Sequence, residues 1–166
     1  MKRMAMCLMI VFLLTSYANS AEWVKLSGGG KGKDIAVDGR GQAWVIGTDN
    51  KIYFHNGSTW QEYPGRGLGL AISVSQDGHP FVIGTDGGIY RGTSNGWVEL
   101  SGGGKGKDIA VDGRGQAWVI GTDNKIYFHN GSTWQEYPGR GLGLAISVSQ
   151  DGHPFVIGTD SAIYRY

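Results

Sequence analysis

Two kinds of side chain recur along this 166-residue sequence where they could meet a ligand. Tyr53, Tyr90, Tyr127 and Tyr164 stand 37 residues apart. A tyrosine ring offers an apolar face for stacking on sugar C–H groups and a hydroxyl for hydrogen bonding. His55 and Asn56 follow the first of them, with copies at His129 and Asn130, and add polar groups beside an Asn-Gly turn. The second kind is basic and lies in glycine-rich stretches: Lys31, Lys33, Arg66, Lys105, Lys107 and Arg140. Successive backbone N–H groups in such stretches cradle anions, and a nearby cation adds charge for a phosphate or carboxylate. The candidate ligand-binding set is therefore Tyr53, His55, Asn56, Lys31 and Arg66, with Tyr127, His129, Asn130, Lys105 and Arg140. Each has a competing structural role that the sequence favours when the position is taken singly: half-buried core tyrosine, solvated turn, or flexible link.

Catalytic chemistry finds little support. There is no Ser/His/Asp order, no CxxC pair and no HExxH. The run GGGKGK has no helix pattern after it and is no phosphate-binding P-loop. Asp38, Asp49, Asp77 and Asp86 sit in Gly/Asn turns, where carboxylates cap backbone groups, and their spacing does not match an EF-hand. A hydrolase or lyase would need carboxylates or histidines around a centre, and the apolar runs at 35–37 and 72–74 offer few. The expectation is a protein that is not an enzyme, with no cofactor and no metal. Asn56-Gly57-Ser58 and Asn130-Gly131-Ser132 have the form of glycosylation sequons.

The elements that must carry these side chains are set by repetition. Residues 26–86 return unchanged as 100–160, an offset of 74, and a looser echo relates 33–54 to 70–91 at an offset of 37. Trp23, Trp60, Trp97 and Trp134 mark the same period. Within each unit, short apolar runs at 35–37, 43–47, 52–55 and 59–63 are separated by turn residues, with Asn56-Gly57 as a hairpin signal. No window outside the first twenty residues has a helical period. Four antiparallel strands per unit, repeated four times, predict an all-β chain: a β-propeller of four four-stranded blades. The tryptophans of the fourth strands are expected between neighbouring blades, and Trp44 and Trp118 (Phe81 and Phe155 in alternate units) in the core. The chain starts on a fourth-strand type at 23–26 and stops after a third-strand type, so 23–26 is expected to complete the last blade and close the ring. Sixteen strands result.

Residues 1–20 read as a secretory signal peptide. Lys2 and Arg3 precede a short apolar core at 7–14, and Ala18-Asn19-Ser20 forms a cleavage site before Ala21. The apolar core is too short for a stable membrane span. Residues 21–166 are then a single domain, secreted or periplasmic. Without Lys2 and Arg3, 13 basic residues face 14 acidic ones, with no block of like charge, so nucleic acid is not an expected partner. The only cysteine, Cys7, leaves with the leader, so an exported protein without disulfides must hold together by packing.

The unit built on Trp23/Trp60/Trp97/Trp134, Asp34-Ile35-Ala36-Val37, Trp44-Val45-Ile46 and Ile52-Tyr53 resembles the tectonin and tachylectin-like propeller repeat. The resemblance spans 23–166. It implies a secreted, multivalent, lectin-like protein whose partners are glycans or glycolipids on a cell surface, including lipopolysaccharide sugars. Some related repeats are protein-interaction scaffolds, and that is the alternative. Rings of this kind usually have about six blades, so a larger ring shared by two chains stands beside the self-closed monomer. Identical halves also invite a domain-swapped dimer.

Overall fold

A computed structural model describes residues 22–139 and 141–166. Residues 1–21, with the expected leader, and Arg140 therefore lie outside the described residues. Fifteen strands fall into four antiparallel sheets, which are the blades. Blade 1 is β1 (Gly32–Val37), β2 (Ala43–Gly47), β3 (Ile52–His55) and β4 (Trp60–Glu62). Blade 2 is β5 (Gly69–Val74), β6 (Pro80–Gly84), β7 (Ile89–Thr93) and β8 (Gly96–Glu99). Blade 3 is β9 (Gly106–Val111), β10 (Ala117–Gly121), β11 (Ile126–His129) and β12 (Trp134–Glu136). Blade 4 has only three strands, β13 (Gly143–Val148), β14 (Pro154–Gly158) and β15 (Ile163–Arg165). The all-β, four-bladed reading of the sequence holds. The glycine-rich link is shorter than expected, because Gly32 and Lys33 already belong to β1.

Tight turns explain why the chain reverses so regularly. At the β2–β3 turn one position must take positive φ, and it is filled by Asn50 (66°), Gly87 (80°), Asn124 (69°) and Ser161 (67°). Asn and Gly are the residues that accept this conformation at least cost. The turn places the Asn50 N–H on the Gly47 carbonyl at 2.9 Å.

Blades meet through their sheet faces, and two kinds of interface alternate. Between blades 1 and 2 the core holds Trp44, Ile46, Ile52, Ile72 and Val82, with Tyr63 and Trp97 packed against it. Tyr63 bridges the two tryptophans, with ring centroids 5.5 Å from Trp44 and 5.0 Å from Trp97. Asp34 staples the same joint, accepting the Ile72 N–H at 2.8 Å across the blades. Blades 3 and 4 repeat this joint, with Asp108 accepting from Ile146 at 2.8 Å. Burial pushes the Asp108 carboxyl up, and its two backbone donors oppose that. Between blades 2 and 3 the aspartate is replaced by Ala71, and the joint is apolar: Phe81, Ile83 and Ile89 against Ile109, Ala117 and Val119. The tryptophans Trp44 and Trp118 are core residues, as expected.

One expectation is overturned. Residues 22–26 form no strand, Trp23 is fully exposed, and β15 has no neighbour on its outer side. β1 packs on β5, β5 on β9 and β9 on β13, but β13 has no comparable packing against β1. The facing surfaces of the end blades stay uncovered, with Ile35 of blade 1 and Ile157 and Ile163 of blade 4 all exposed. The described chain is an open arc, so its own segment 23–26 does not reach β15.

The fully buried isoleucines carry this architecture. Ile46→Ala is expected to lower unfolding free energy by about 2–5 kcal/mol. Leu70→Ala, on an exposed position, should change it by less than about 0.5 kcal/mol. Urea denaturation midpoints of the two variants check the contrast.

Candidate functional site

The blade turns gather the candidate residues on two opposite faces. The β2–β3 turns and the links between blades share one face, and the β1–β2 and β3–β4 turns share the other. Lys31, Tyr53, Arg66, Lys105 and Tyr127 belong to the first, and His55, Asn56, His129 and Asn130 to the second. The structure does not bring the two groups together.

On the link face each blade repeats one device. The hydroxyls of Tyr53, Tyr90, Tyr127 and Tyr164 donate to Oδ2 of Asp49, Asp86, Asp123 and Asp160 at 2.8, 2.7, 2.7 and 2.6 Å. The other oxygen of each carboxylate accepts the N–H two residues on, from Lys51, Gly88, Lys125 and Ala162. The tyrosine bond is the main cause holding each of these carboxyls below its ordinary range. Reciprocally, the hydrogen bond to Asp86, with burial second, pushes the Tyr90 phenol up to about 12.

In blade 2 this pair borders a cleft of about 250 Å³, with Thr85 and Trp97 on its other walls and Gly65 and Gly67 in the link. A Cβ on Gly67 would collide with the Trp97 indole, so the link lies flat on that ring only because it is glycine. In blade 1 the same cleft opens to about 390 Å³, lined by Lys31, Thr48, Asp49, Tyr53 and Trp60. Lys105, the copy of Lys31, is not available to a ligand in the same way. Its Nζ donates to the Asp86 backbone carbonyl at 2.8 Å and clasps blade 3 to blade 2. Arg66 is exposed on its link, with φ at 54°.

On the opposite face a cleft of about 360 Å³ lies between blades 2 and 3. Phe81, Arg91, Arg114, Gln116, His129 and Asn130 line it. His129 is buried and committed: Nδ1 accepts the Gly131 N–H at 3.2 Å, and Nε2 stands 3.1 Å from the Ser101 carbonyl. With Nδ1 toward the Gly131 N–H and Nε2 toward the Ser101 carbonyl, the ring anchors the link. Its edge meets Trp134 at 5.0 Å. Asn130 Oδ1 accepts from the Ser132 and Thr133 backbones at 3.0 and 2.9 Å, which shapes the β11–β12 turn. His55 and Asn56 make the same bonds in blade 1. These four residues therefore build the face rather than supply free groups.

The groups with unspent capacity are the arginines. The Arg91 guanidinium lies 5.7 Å from the Phe81 ring centroid, and among the described residues neither Arg91 nor Arg114 joins an ion pair. A planar guanidinium held on an aromatic face is pre-set to grip a carboxylate or phosphate with two bonds. Sequence reasoning missed both residues. A signal existed: Arg40 recurs as Arg114 and Arg91 as Arg165, each at an offset of 74. No group of three or more His, Cys, Asp or Glu is placed to hold a metal ion among the described residues.

Four antiparallel sheets arranged as blades define a β-propeller, with the candidate groups placed in its turns and inter-blade clefts. The chain belongs to the tectonin domain family, whose model matches residues 31–130. No curated protein sequence matches it. Among solved structures it is similar to YCF48 bound to D1 peptide, with TM-score 0.64 and 17% identity over 82% of this chain and 51% of that one. It is also similar to virginiamycin B lyase from Staphylococcus aureus, with TM-score 0.57 and 17% identity over 80% of this chain and 54% of that one. The WD40 β-propeller domain of Doa1 matches with TM-score 0.58 and 17% identity over 75% of this chain and 45% of that domain. The chain thus spans about half the length of each, and at this identity the likeness is one of fold.

The Tyr90–Asp86 pair has a direct readout. Asp86→Asn should bring the Tyr90 phenol down from about 12 toward the ordinary tyrosine range, seen as earlier phenolate absorbance in an alkaline titration. Because the folded Tyr90 value is raised, its stabilising contribution is complete below the ordinary tyrosine pKa and fades as pH rises through about 12. That of Asp86, whose carboxyl is lowered, is present above the ordinary carboxylate range and fades as pH falls through its lowered value.

Proposed function

We propose that this protein is a secreted or periplasmic, multivalent lectin-like propeller that recognises glycans carrying acidic groups, such as lipopolysaccharide-type surface sugars. The observation that carries this reading is the cleft between blades 2 and 3, where Arg91 on Phe81 and Arg114 converge without a protein counter-ion among the described residues. A carboxylate or phosphate on a sugar would accept from the guanidiniums, and the Gln116 side chain would meet the ring. The link-face clefts, with an aromatic wall, a carboxylate and a hydroxyl, supply a second kind of contact suited to neutral sugar hydroxyls. Rigid repetition supports multivalency. Two weak sites on one frame raise avidity by roughly 10²–10⁴-fold on a repetitive surface. The sequence-stated leader at 1–20 is the basis for export, and no helix among the described residues is long and apolar enough to cross a membrane.

A second reading, a protein-interaction scaffold, has one observation in its favour: a structure of similar fold is solved with a bound peptide. Calorimetric titration with phosphorylated and neutral oligosaccharides separates the two. We expect binding of the acidic sugar, weakened at least tenfold by Arg91→Ala or Arg114→Ala, the scale of losing about 1.5–3 kcal/mol in a charged hydrogen bond. No binding to any glycan, together with peptide capture that free sugars do not displace, would establish the scaffold instead.

A further inference from the structure

The two ends of the arc are halves of an interface that the chain already makes once. Blade 4 is a copy of blade 2 and blade 1 a copy of blade 3, at an offset of 74 residues. The face that blade 4 presents outward is therefore the face with which blade 2 grips blade 3. In the made joint Ile83 is 0% exposed, Ile89 2% and Ile109 4%. Their copies at the ends, Ile157, Ile163 and Ile35, are 45%, 80% and 63% exposed. Every apolar residue that packs blade 2 on blade 3 has an identical copy on the two open ends. Large contiguous apolar surface of this kind marks an interaction site.

We infer that a second copy of this chain seats its blade 1 on blade 4, and that two copies joined twice in this way close an eight-bladed ring. The joint is heterologous, head to tail, and two copies close because the rotation across their eight blades completes one turn. Eight blades lie within the usual range for propellers, and one chain matches about half the length of larger solved folds, 45% of the Doa1 propeller domain among them.

The polar details transfer as well. Lys105 clasps the Asp86 carbonyl, and the Gly106 N–H donates to the Gly87 carbonyl at 3.0 Å. In the new joint Lys31 takes the Asp160 carbonyl of the other copy, and Gly32 that of Ser161. Ser161 replaces Gly87 here without conflict: it already holds φ at 67°, and a Cβ at Gly87 meets only the flexible Lys105 stem, at 3.2 Å. The open cleft beside Lys31 is the space that Ile157 and Ile163 of the second copy fill.

The same packing explains the segment at 22–26. β8 pairs with β7 through Tyr90–Glu99, Arg91–Val98 and Gly92–Trp97, and then runs on into blade 3. Trp23, Val24 and Lys25 precede blade 1 as Trp97, Val98 and Glu99 precede blade 3. Docked head to tail, they add to the free edge of β15, opposite Tyr166, Arg165 and Tyr164, as the missing fourth strand. Arg165 over Phe155, at 5.6 Å, then faces Arg40, Gln42, His55 and Asn56 of the second copy. A further cleft of the kind found between blades 2 and 3 is thereby made, and it is incomplete in one chain.

The test is the solution mass of the chain by light scattering over a range of concentrations. Twice the chain mass is expected. A monomer at all concentrations overturns the proposal, as does an assembly of three or more copies. Ile163→Asp and Ile35→Asp lie on exposed ends, so each variant should keep its circular dichroism and yet run as a monomer, its dimer dissociation constant raised more than about tenfold. Mixed together they have one intact head and one intact tail, and a 1:1 heterodimer should form. Variants that still dimerise alone, or a mixture that stays monomeric, would rule the head-to-tail joint out.

Discussion

Blade-against-blade packing is the constraint on which everything else here depends. A four-stranded sheet of short strands cannot bury both faces by itself, so each blade is stable only with neighbours. The fully buried isoleucines, Ile46, Ile52, Ile83 and Ile120, all lie in the clusters between blades. With no cysteine among the described residues, these contacts and a few polar staples hold the blades together. The staples are economical: one carboxylate, Asp34 or Asp108, spans from one inner strand to the next.

The alternation of two joints follows from a small change in side chains. Where Asp34 and Trp44 stand, the joint is stapled and stacked with aromatic rings. Where Ala71 and Phe81 replace them, the core of the joint is apolar and its polar contacts lie at the rim, where Lys105 holds the Asp86 carbonyl. The clefts inherit this alternation. The arginine-lined cleft forms at the apolar joint because Arg91 is strand-paired with Phe81 and lies across its ring, while Arg114 arrives from the turn of the next blade. A ligand site at such a joint draws its geometry from two rigid sheets, which is what positions weak polar groups well enough to discriminate.

The Tyr–Asp pairs show how a residue type can be read correctly and its duty misjudged. Tyr53, Tyr90 and Tyr127 are half-buried, as expected of either a core or a binding tyrosine, and their copy Tyr164 is exposed at the open end. Each hydroxyl is spent on the aspartate four residues earlier, a local bond that locks the β2–β3 turn. The histidines are likewise locked, through contacts to Ser27 and Ser101 that lie 28 residues away. What the link face and the opposite face offer to a ligand is therefore less than the raw list of polar residues, and more basic.

The sequence by itself determined the unit, its turns and the number of blades, because period-2 patterning and turn residues such as Asn50 and Gly87 act within a few residues of themselves. It also determined that Trp44 and Trp118 are core. Tertiary structure alone decided which groups stay free. Whether Lys105 is a ligand group or a clasp, and whether Arg91 and Arg114 share a cleft, depends on contacts between blades that no local pattern encodes. Closure belongs to the same class. The repeat count was legible, but whether the last blade meets the first depends on packing between blades, and here Ile35, Ile157 and Ile163 stay exposed with 23–26 unpaired.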